Sequence, residues 1–207
     1  MSEAHEELAR LGSATVYEAS GREGMVDLSL EQVLPGSRAA GPARTVRCGQ
    51  GDNLMVHAVM ERVEPGDVVV LTMPEPEPVA LVGELLATQA ARRGAAALLV
   101  DAAVRDVEEL RELGLPVWAR WVRVRGAEKA AAGSIDEPVE VGGAQIRPGD
   151  TVVLDADGVV AVRYERLEEV LAASRERAQL EVEKRARLSA GSLSYDLDGL
   201  RKLVEGE

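Results

Sequence analysis

The 207-residue sequence predicts a single α/β domain, and three stretches carry that expectation. Residues 83–106 read GELLATQAARRGAAALLVDAAVRD. A Gly83-Glu84 pair opens a helix that runs to Arg92-Arg93-Gly94, an apolar strand follows over 95–100, and the segment closes on Asp101 and then Arg105-Asp106: half of a βαβ unit. Residues 139–146 and 151–162 read as two hairpins, turning at Gly142-Gly143 and Asp157-Gly158. Residues 165–188 then read as one long, charged helix.

Composition narrows the class. A chain of this length buries about 70% of the surface its unfolded form exposes, so one core without a staple is expected. There is no Phe and only 2% of residues are aromatic, so Val, Leu, Ala and Ile must fill that core. The same poverty removes the stacking platforms that single-stranded nucleic acid requires. A net charge of −12 argues against phosphate neutralisation, so no nucleic-acid partner is expected. The single cysteine, Cys48, excludes an internal disulfide, and two histidines, His5 and His57, make no zinc cluster. The apolar runs fall short of a membrane span and Met1-Ser2-Glu3 begins no signal peptide, so a cytoplasmic protein with no membrane contact is expected.

Taken in order, Ser2 caps a helix through Arg10, and Ser13 or Thr15 a second through Arg22. Residues 36–48 turn on Gly and Pro and end in an alternating strand, after which Gly51-Asp52-Asn53 resembles the cap of a helix reaching Val63. Pro65-Gly66-Asp67 is a turn, and residues 68–72 (VVVLT) form a buried strand. The MPEPEP run at 73–78 is an extended lead-in to the Gly83 helix. A short helix over VEELREL ends at Gly114, a strand follows over 116–119, and after the two hairpins and the long helix Gly191 precedes a last short helix in LDGLRKL.

The candidate site lies at the ends of the 83–106 unit, since ligands in such units sit at helix N-termini and beyond strand C-termini. The first-turn amides after Gly83 could hold an anion, although Gly83 could equally be a turn and Glu84 an ordinary first-turn charge. Arg105 could grip a carboxylate bidentately, or be a plain surface residue. Asp106 could ligate a hard metal ion directly or through water, or simply cap the helix that follows. What raises the odds is coincidence, because sheet logic brings Glu84, Arg105 and Asp106 to one edge. Asp155 and Asp157 suggest calcium, but a hairpin turn explains them better. His57 reads as a core or subunit-contact residue and Cys48 as packing. Lys129, Lys184 and Lys202 occupy polar segments, so carbon–carbon bond chemistry on an oxo acid would need a metal rather than an imine.

These residues carry a likeness. The chain resembles the RraA-like family in TVYEASGREG at 15–24, GPARTVRCGQGDNL at 41–54, GELLATQAARRG with VDAAVRD, GLPVWAR at 114–120 and IRPGDTVVLDADGVVAV at 146–162. The family's signature, an acidic residue, twenty positions, then Arg-Asp, is met by Glu84, Arg105 and Asp106. The family includes 4-hydroxy-4-methyl-2-oxoglutarate and 4-carboxy-4-hydroxy-2-oxoadipate aldolases as well as regulators of ribonuclease E. Ala102, where a glycine is common, and Tyr17-Glu18 depart from its pattern without removing a ligand.

The resemblance implies a three-layer β/β/α sandwich of the swivelling-domain kind, with residues 1–165 as its core and 166–207 as C-terminal helices in subunit contact within a homotrimer or homohexamer. It implies a pyruvate aldolase using Mg2+ or Mn2+, with oxaloacetate decarboxylation as a side activity. By that likeness Gly83, Glu84, Leu85 and Leu86 offer backbone to the substrate carboxylate, and Arg105 binds the oxo-acid oxygens. Asp106 anchors the metal, Glu84 sits in its water shell, and Glu181 from a neighbouring subunit approaches as an acid. Two other readings remain: a non-catalytic regulator that binds a ribonuclease through protein contacts, and an enzyme using the same enolate chemistry on another substrate.

Overall fold

The structure is a computed structural model that describes residues 2–206; Met1 and Glu207, the ends of the expected 1–207 domain, lie outside the described residues. The chain opens with helices α1 (Glu3–Leu11) and α2 (Ser13–Ala19), then strands β1 (Glu31–Gln32) and β2 (Ala39–Arg47), helix α3 (Leu54–Val59), and strands β3 (Val68–Thr72) and β4 (Ala80–Val82). It continues through α4 (Glu84–Arg93), β5 (Ala97–Val104), α5 (Val107–Leu113), β6 (Val117–Val122), β7 (Ser134–Ile135), β8 (Val139–Val141), β9 (Ala144–Ile146), β10 (Thr151–Leu154) and β11 (Val159–Val162). Helices α6 (Leu167–Ser189), α7 (Ser194–Leu197) and α8 (Arg201–Glu205) close it.

One nine-stranded sheet runs β1-β6-β5-β3-β2-β10-β11, with β4 added to β5 and β7 to β2, while β8 and β9 form a separate hairpin. Its centre, β2-β3-β5-β6, is parallel. Because both faces of these strands are covered, their sequences are nearly unbroken apolar runs, as parallel sheets require. On one face Val69, Leu71, Leu98 and Val100 pack against Val59, Leu86, Ala90 and Leu110 of α3, α4 and α5. On the other, Val68, Val70, Leu99 and Trp118 meet Val141, Ile146, Val152 and Leu154 of the second β layer. Each such side chain contributes about 1.5–3 kcal/mol on burial, so aliphatic area does the work that aromatics do elsewhere. The three-layer β/β/α sandwich is therefore present. A further helical layer covers the outside of the β10-β11 pair, where Val153, Val160 and Val162 bury Leu8, Val16, Val170 and Leu171 of α1, α2 and α6.

Several local expectations change. Ser13 does not cap α2 but begins it, its backbone N–H and hydroxyl both donating to Asp155. The helix stops at Ala19 rather than Arg22 because Gly21 and Arg22 turn left-handed, at φ 81° and 67°. Helix α3 ends at Val59, short of Val63. Strand β5 runs on through Asp101 to Val104, so Asp101 is an interior strand residue, 4% exposed, bonded at 2.9 Å to Arg120 Nη1. Burial pushes its carboxyl up, partly offset by Arg120. Gly199, at φ 67°, divides the expected last helix into α7 and α8. Helix α6 buries Val170, Leu171 and Ser174 near its start, whereas Leu180 and Val182 further along are more than half exposed. Among the described residues no helix is long and apolar enough to cross a membrane.

Candidate active site

Strands β4 and β5 are parallel neighbours, and Val82 lies opposite Val104. Each strand then gives way to a helix, β4 through Gly83 into α4 and β5 through Arg105-Asp106 into α5. Residues distant in sequence therefore emerge side by side at one sheet edge. The Arg105 N–H donates to Val82 O at 3.0 Å, which locks the two exits together.

Asp106 is built unusually. It has φ 58° and ψ 46°, a left-handed conformation that few residues other than glycine adopt without cost. It occupies the N-cap position of α5, yet its side chain caps nothing there. Its Oδ2 instead accepts from the Glu84 N–H at 3.0 Å, at the start of α4, and lies 3.6 Å from Arg105 Nε. The simple-cap reading of Asp106 is thus set aside: the carboxylate has been turned away from its own helix toward another. At 3.6 Å the Arg105 contact is an ion pair beyond hydrogen-bond length, so the guanidinium keeps donors for an incoming anion. Helix α4 still has two first-turn amides, Leu85 and Leu86, beyond the one Glu84 has given to Asp106.

Two glycines make room. A Cβ at Gly83 would stand 2.3 Å from Asp106 Oδ2 and 3.1 Å from Arg105 Cγ, and one at Gly126 would stand 2.8 Å from Arg105 Nη1. Gly126 belongs to the segment after β6, which folds back over the strand exits. There Ala80 N bonds to Arg125 O, and Asn53 N and Glu128 N bond to Glu128 O and Gly51 O respectively. The buried carboxylate of Asp52 fastens this segment by accepting from Ala130 N at 2.6 Å and Ala131 N at 2.9 Å, and it also takes Leu54 N at 2.7 Å. Burial opposes ionisation of Asp52, but the bonds from Ala130, Leu54 and Ala131, with the Lys129 charge, outweigh it and hold the carboxyl below its ordinary value.

The result is a cavity of about 150 Å³. Of the residues expected at the site, Gly83, Leu85, Leu86, Arg105 and Asp106 line it. Glu84 contributes its backbone, while its carboxylate runs along the helix to accept from Thr88 Oγ1 at 3.0 Å. Glu181 lies on α6 beside Arg177, with Oε1 3.1 Å from Nε, and is not among the cavity residues. Asn53, His57, Gly126 and Lys129 also line the cavity, and sequence reasoning gave none of them to the site. His57, expected in the core or at a contact, is exposed at the cavity wall. Cys48 is buried packing, its thiol pushed up to about 12 by burial and by Asp52.

Among the described residues no cluster of three or more His, Cys, Asp or Glu side chains converges on a point. That donor set suits only a hard cation completed by water and substrate, since Mg2+ characteristically takes one or two carboxylates and fills its remaining positions with water and ligand oxygens. Asp106 fits such a site, because its carboxylate accepts a single hydrogen bond among the described residues and is 40% exposed toward the cavity.

A β/β/α domain with an open helix N-terminus and an Arg-Asp pair at adjoining strand exits defines a class of anion-binding proteins. Residues 13–161 match the RraA-like family, described as Aldolase/RraA, and the chain belongs to that family. It is 34% identical over 167 residues, 79% of this chain and 80% of the relative, to a Halalkalibacterium halodurans protein provisionally named a 4-hydroxy-4-methyl-2-oxoglutarate aldolase. The structure of Streptomyces coelicolor RraAS2, described as an unusual member of the RNase ES inhibitor RraA family, is 30% identical. It superposes with a TM-score of 0.78 over 89% of this chain and 96% of that one. The RNA-processing inhibitor RraA of Thermus thermophilis is 32% identical, with a TM-score of 0.61 over 67% of this chain and 82% of that one.

Proposed function

We propose that the chain is a divalent-metal-dependent aldolase. It cleaves a 4-hydroxy-2-oxo acid, of the 4-hydroxy-4-methyl-2-oxoglutarate or 4-carboxy-4-hydroxy-2-oxoadipate type, to pyruvate and a second oxo acid. The observation that carries this reading is Asp106: a strained residue whose carboxylate leaves its own helix to stand at the start of α4, beside Arg105.

The substrate carboxylate docks on the Leu85 and Leu86 amides, where the helix dipole favours negative charge. Arg105 forks onto the oxo-acid oxygens. A Mg2+ or Mn2+ ion held by Asp106, with Glu84 reaching it through water, supplies Lewis acidity to the 2-oxo group. The 4-hydroxyl loses its proton, the C3–C4 bond breaks, and its electron pair passes into the pyruvate enolate. Arg105 faces the oxygen on which that charge grows. The enolate then takes a proton at C3 to give pyruvate. Glu181 of a neighbouring copy, in a trimer or pair of trimers, is the candidate for moving these protons. Oxaloacetate decarboxylation passes through the same enolate and accompanies the main activity.

A second reading, regulation of a ribonuclease through protein contacts, is favoured by the descriptions of the two RraA structures. The test is pyruvate release from 4-hydroxy-4-methyl-2-oxoglutarate and oxaloacetate with Mg2+, with chelator, and in Arg105→Ala. Release that needs metal, and that falls at least about 100-fold in the variant, is expected. No release under any metal would transfer the assignment to the regulator.

A further inference from the structure

We infer that Asn53 is the specificity residue that recognises the 4-hydroxyl of the substrate, its Oδ1 accepting the hydroxyl hydrogen; the inference rests on the aldolase reading. Asn53 is 7% exposed and lines the cavity that Arg105, Asp106, Leu85 and Leu86 also line. Its orientation is fixed: Nδ2 donates to Leu81 O at 3.0 Å, which places the oxygen on the other branch of the amide. Its backbone N–H is given to Glu128 O at 2.9 Å, and its backbone carbonyl accepts from Val56 N and His57 N. One polar atom is left over. Oδ1 is buried without a hydrogen-bond partner.

Three buried side-chain atoms lack such a bond among the described residues, the others being Ser174 Oγ and Arg177 Nε on α6, and only Asn53 belongs to the cavity. A buried unpaired acceptor is costly unless something completes it, and a ligand that completes it gains selectively. An amide oxygen can only accept, so the ligand must present a donor. The carboxylates and the 2-oxo group of an ionised oxo acid present none. The 4-hydroxyl does. Since an amide oxygen cannot take the proton that cleavage releases, Asn53 contributes to binding rather than to proton transfer, and another group must be the base.

The experiment compares a hydroxylated with an unhydroxylated substrate in the full chain with Mg2+. In Asn53→Ala, KM for 4-hydroxy-4-methyl-2-oxoglutarate is expected to rise about 10- to 100-fold, with kcat changed by less than about threefold. KM for oxaloacetate, which carries no hydroxyl, should move far less. In the wild type, which removes any question of folding, 4-methyl-2-oxoglutarate should inhibit with a Ki about tenfold or more above the KM of its hydroxylated counterpart. Equal losses on both substrates, or equal constants for the two acids in the wild type, would overturn the assignment. Metal-dependent exchange of pyruvate methyl protons into D2O separates the two levels. Exchange with no hydroxyl selectivity defeats Asn53 alone, and absence of both exchange and release defeats the aldolase reading and Asn53 with it.

Discussion

Two aspartates of this chain sit just past the end of a strand and reach across to the first amide of a helix that is not their own. Asp155, after β10, accepts from Ser13 N of α2 at 2.8 Å; Asp106, after β5, accepts from Glu84 N of α4 at 3.0 Å. Both helices begin after a glycine, Gly12 or Gly83, on which a Cβ would press against the carboxylate. There the likeness ends. Asp155 is 5% exposed, and its oxygens also take the Ser13 hydroxyl and Asp157 N. Asp106 opens on a cavity, carries one hydrogen bond and has an arginine beside it. The same clip is structural when its lone pairs are filled and available for chemistry when they are not.

The largest expected effects come from removing each carboxylate. Asp155→Ala strands a buried hydroxyl and a helix-start amide, so stability should fall by about 3 kcal/mol in urea denaturation while activity per folded molecule persists. Asp106→Gly should do the reverse. Pyruvate release drops at least about 100-fold, yet stability is unchanged or rises by up to about 1 kcal/mol, because glycine relieves the left-handed strain. If both variants lose stability alike, Asp106 is a clip of the same kind and the contrast fails.

Gly83→Ala sharpens the comparison at smaller scale. The added methyl displaces the Asp106 carboxylate, and a fall in kcat/KM of about tenfold or more is expected from misplacement alone, with circular dichroism and melting nearly unchanged. The smallest effect is a pH response at Asp52, a third filled carboxylate. Its folded-state ionisation lies below the unfolded carboxylate value of about 3.9, so its contribution is present above that pH and lost as pH falls through the folded value. Amide exchange at Ala130 and Ala131 should therefore accelerate in acid below about pH 4, ahead of the core strands. Protection that stays constant there would mean the loop is held by something else.

The comparison also shows what a sequence displays. Glu84, Arg105 and Asp106 were legible because strand and helix periodicity fix where β5 ends and α4 begins, and parallel pairing does the rest. The apolar runs and the two glycine hairpins likewise declared the layers. Asn53, His57, Gly126 and Lys129 stayed hidden because a non-periodic segment after β6 brings them to the cavity, held by Asp52 through contacts far apart in sequence. Strand β4 was lost behind the proline run, its three residues too short for an alternation to register. Asp101 looked like a strand terminus because its neutralising partner, Arg120, sits on the adjacent strand β6 and leaves no local sign.

The backbone at Asp106 has a consequence for descent. A left-handed position welcomes few side chains, chiefly glycine, asparagine and aspartate. Aspartate lies one base change from each of the other two. A gene can thus surrender the carboxylate in a single step that the fold does not resist, and selection for some other role of the surface could then proceed from a sound scaffold. A lineage holding both lyases and inhibitors is what such a shallow exit from catalysis would leave behind.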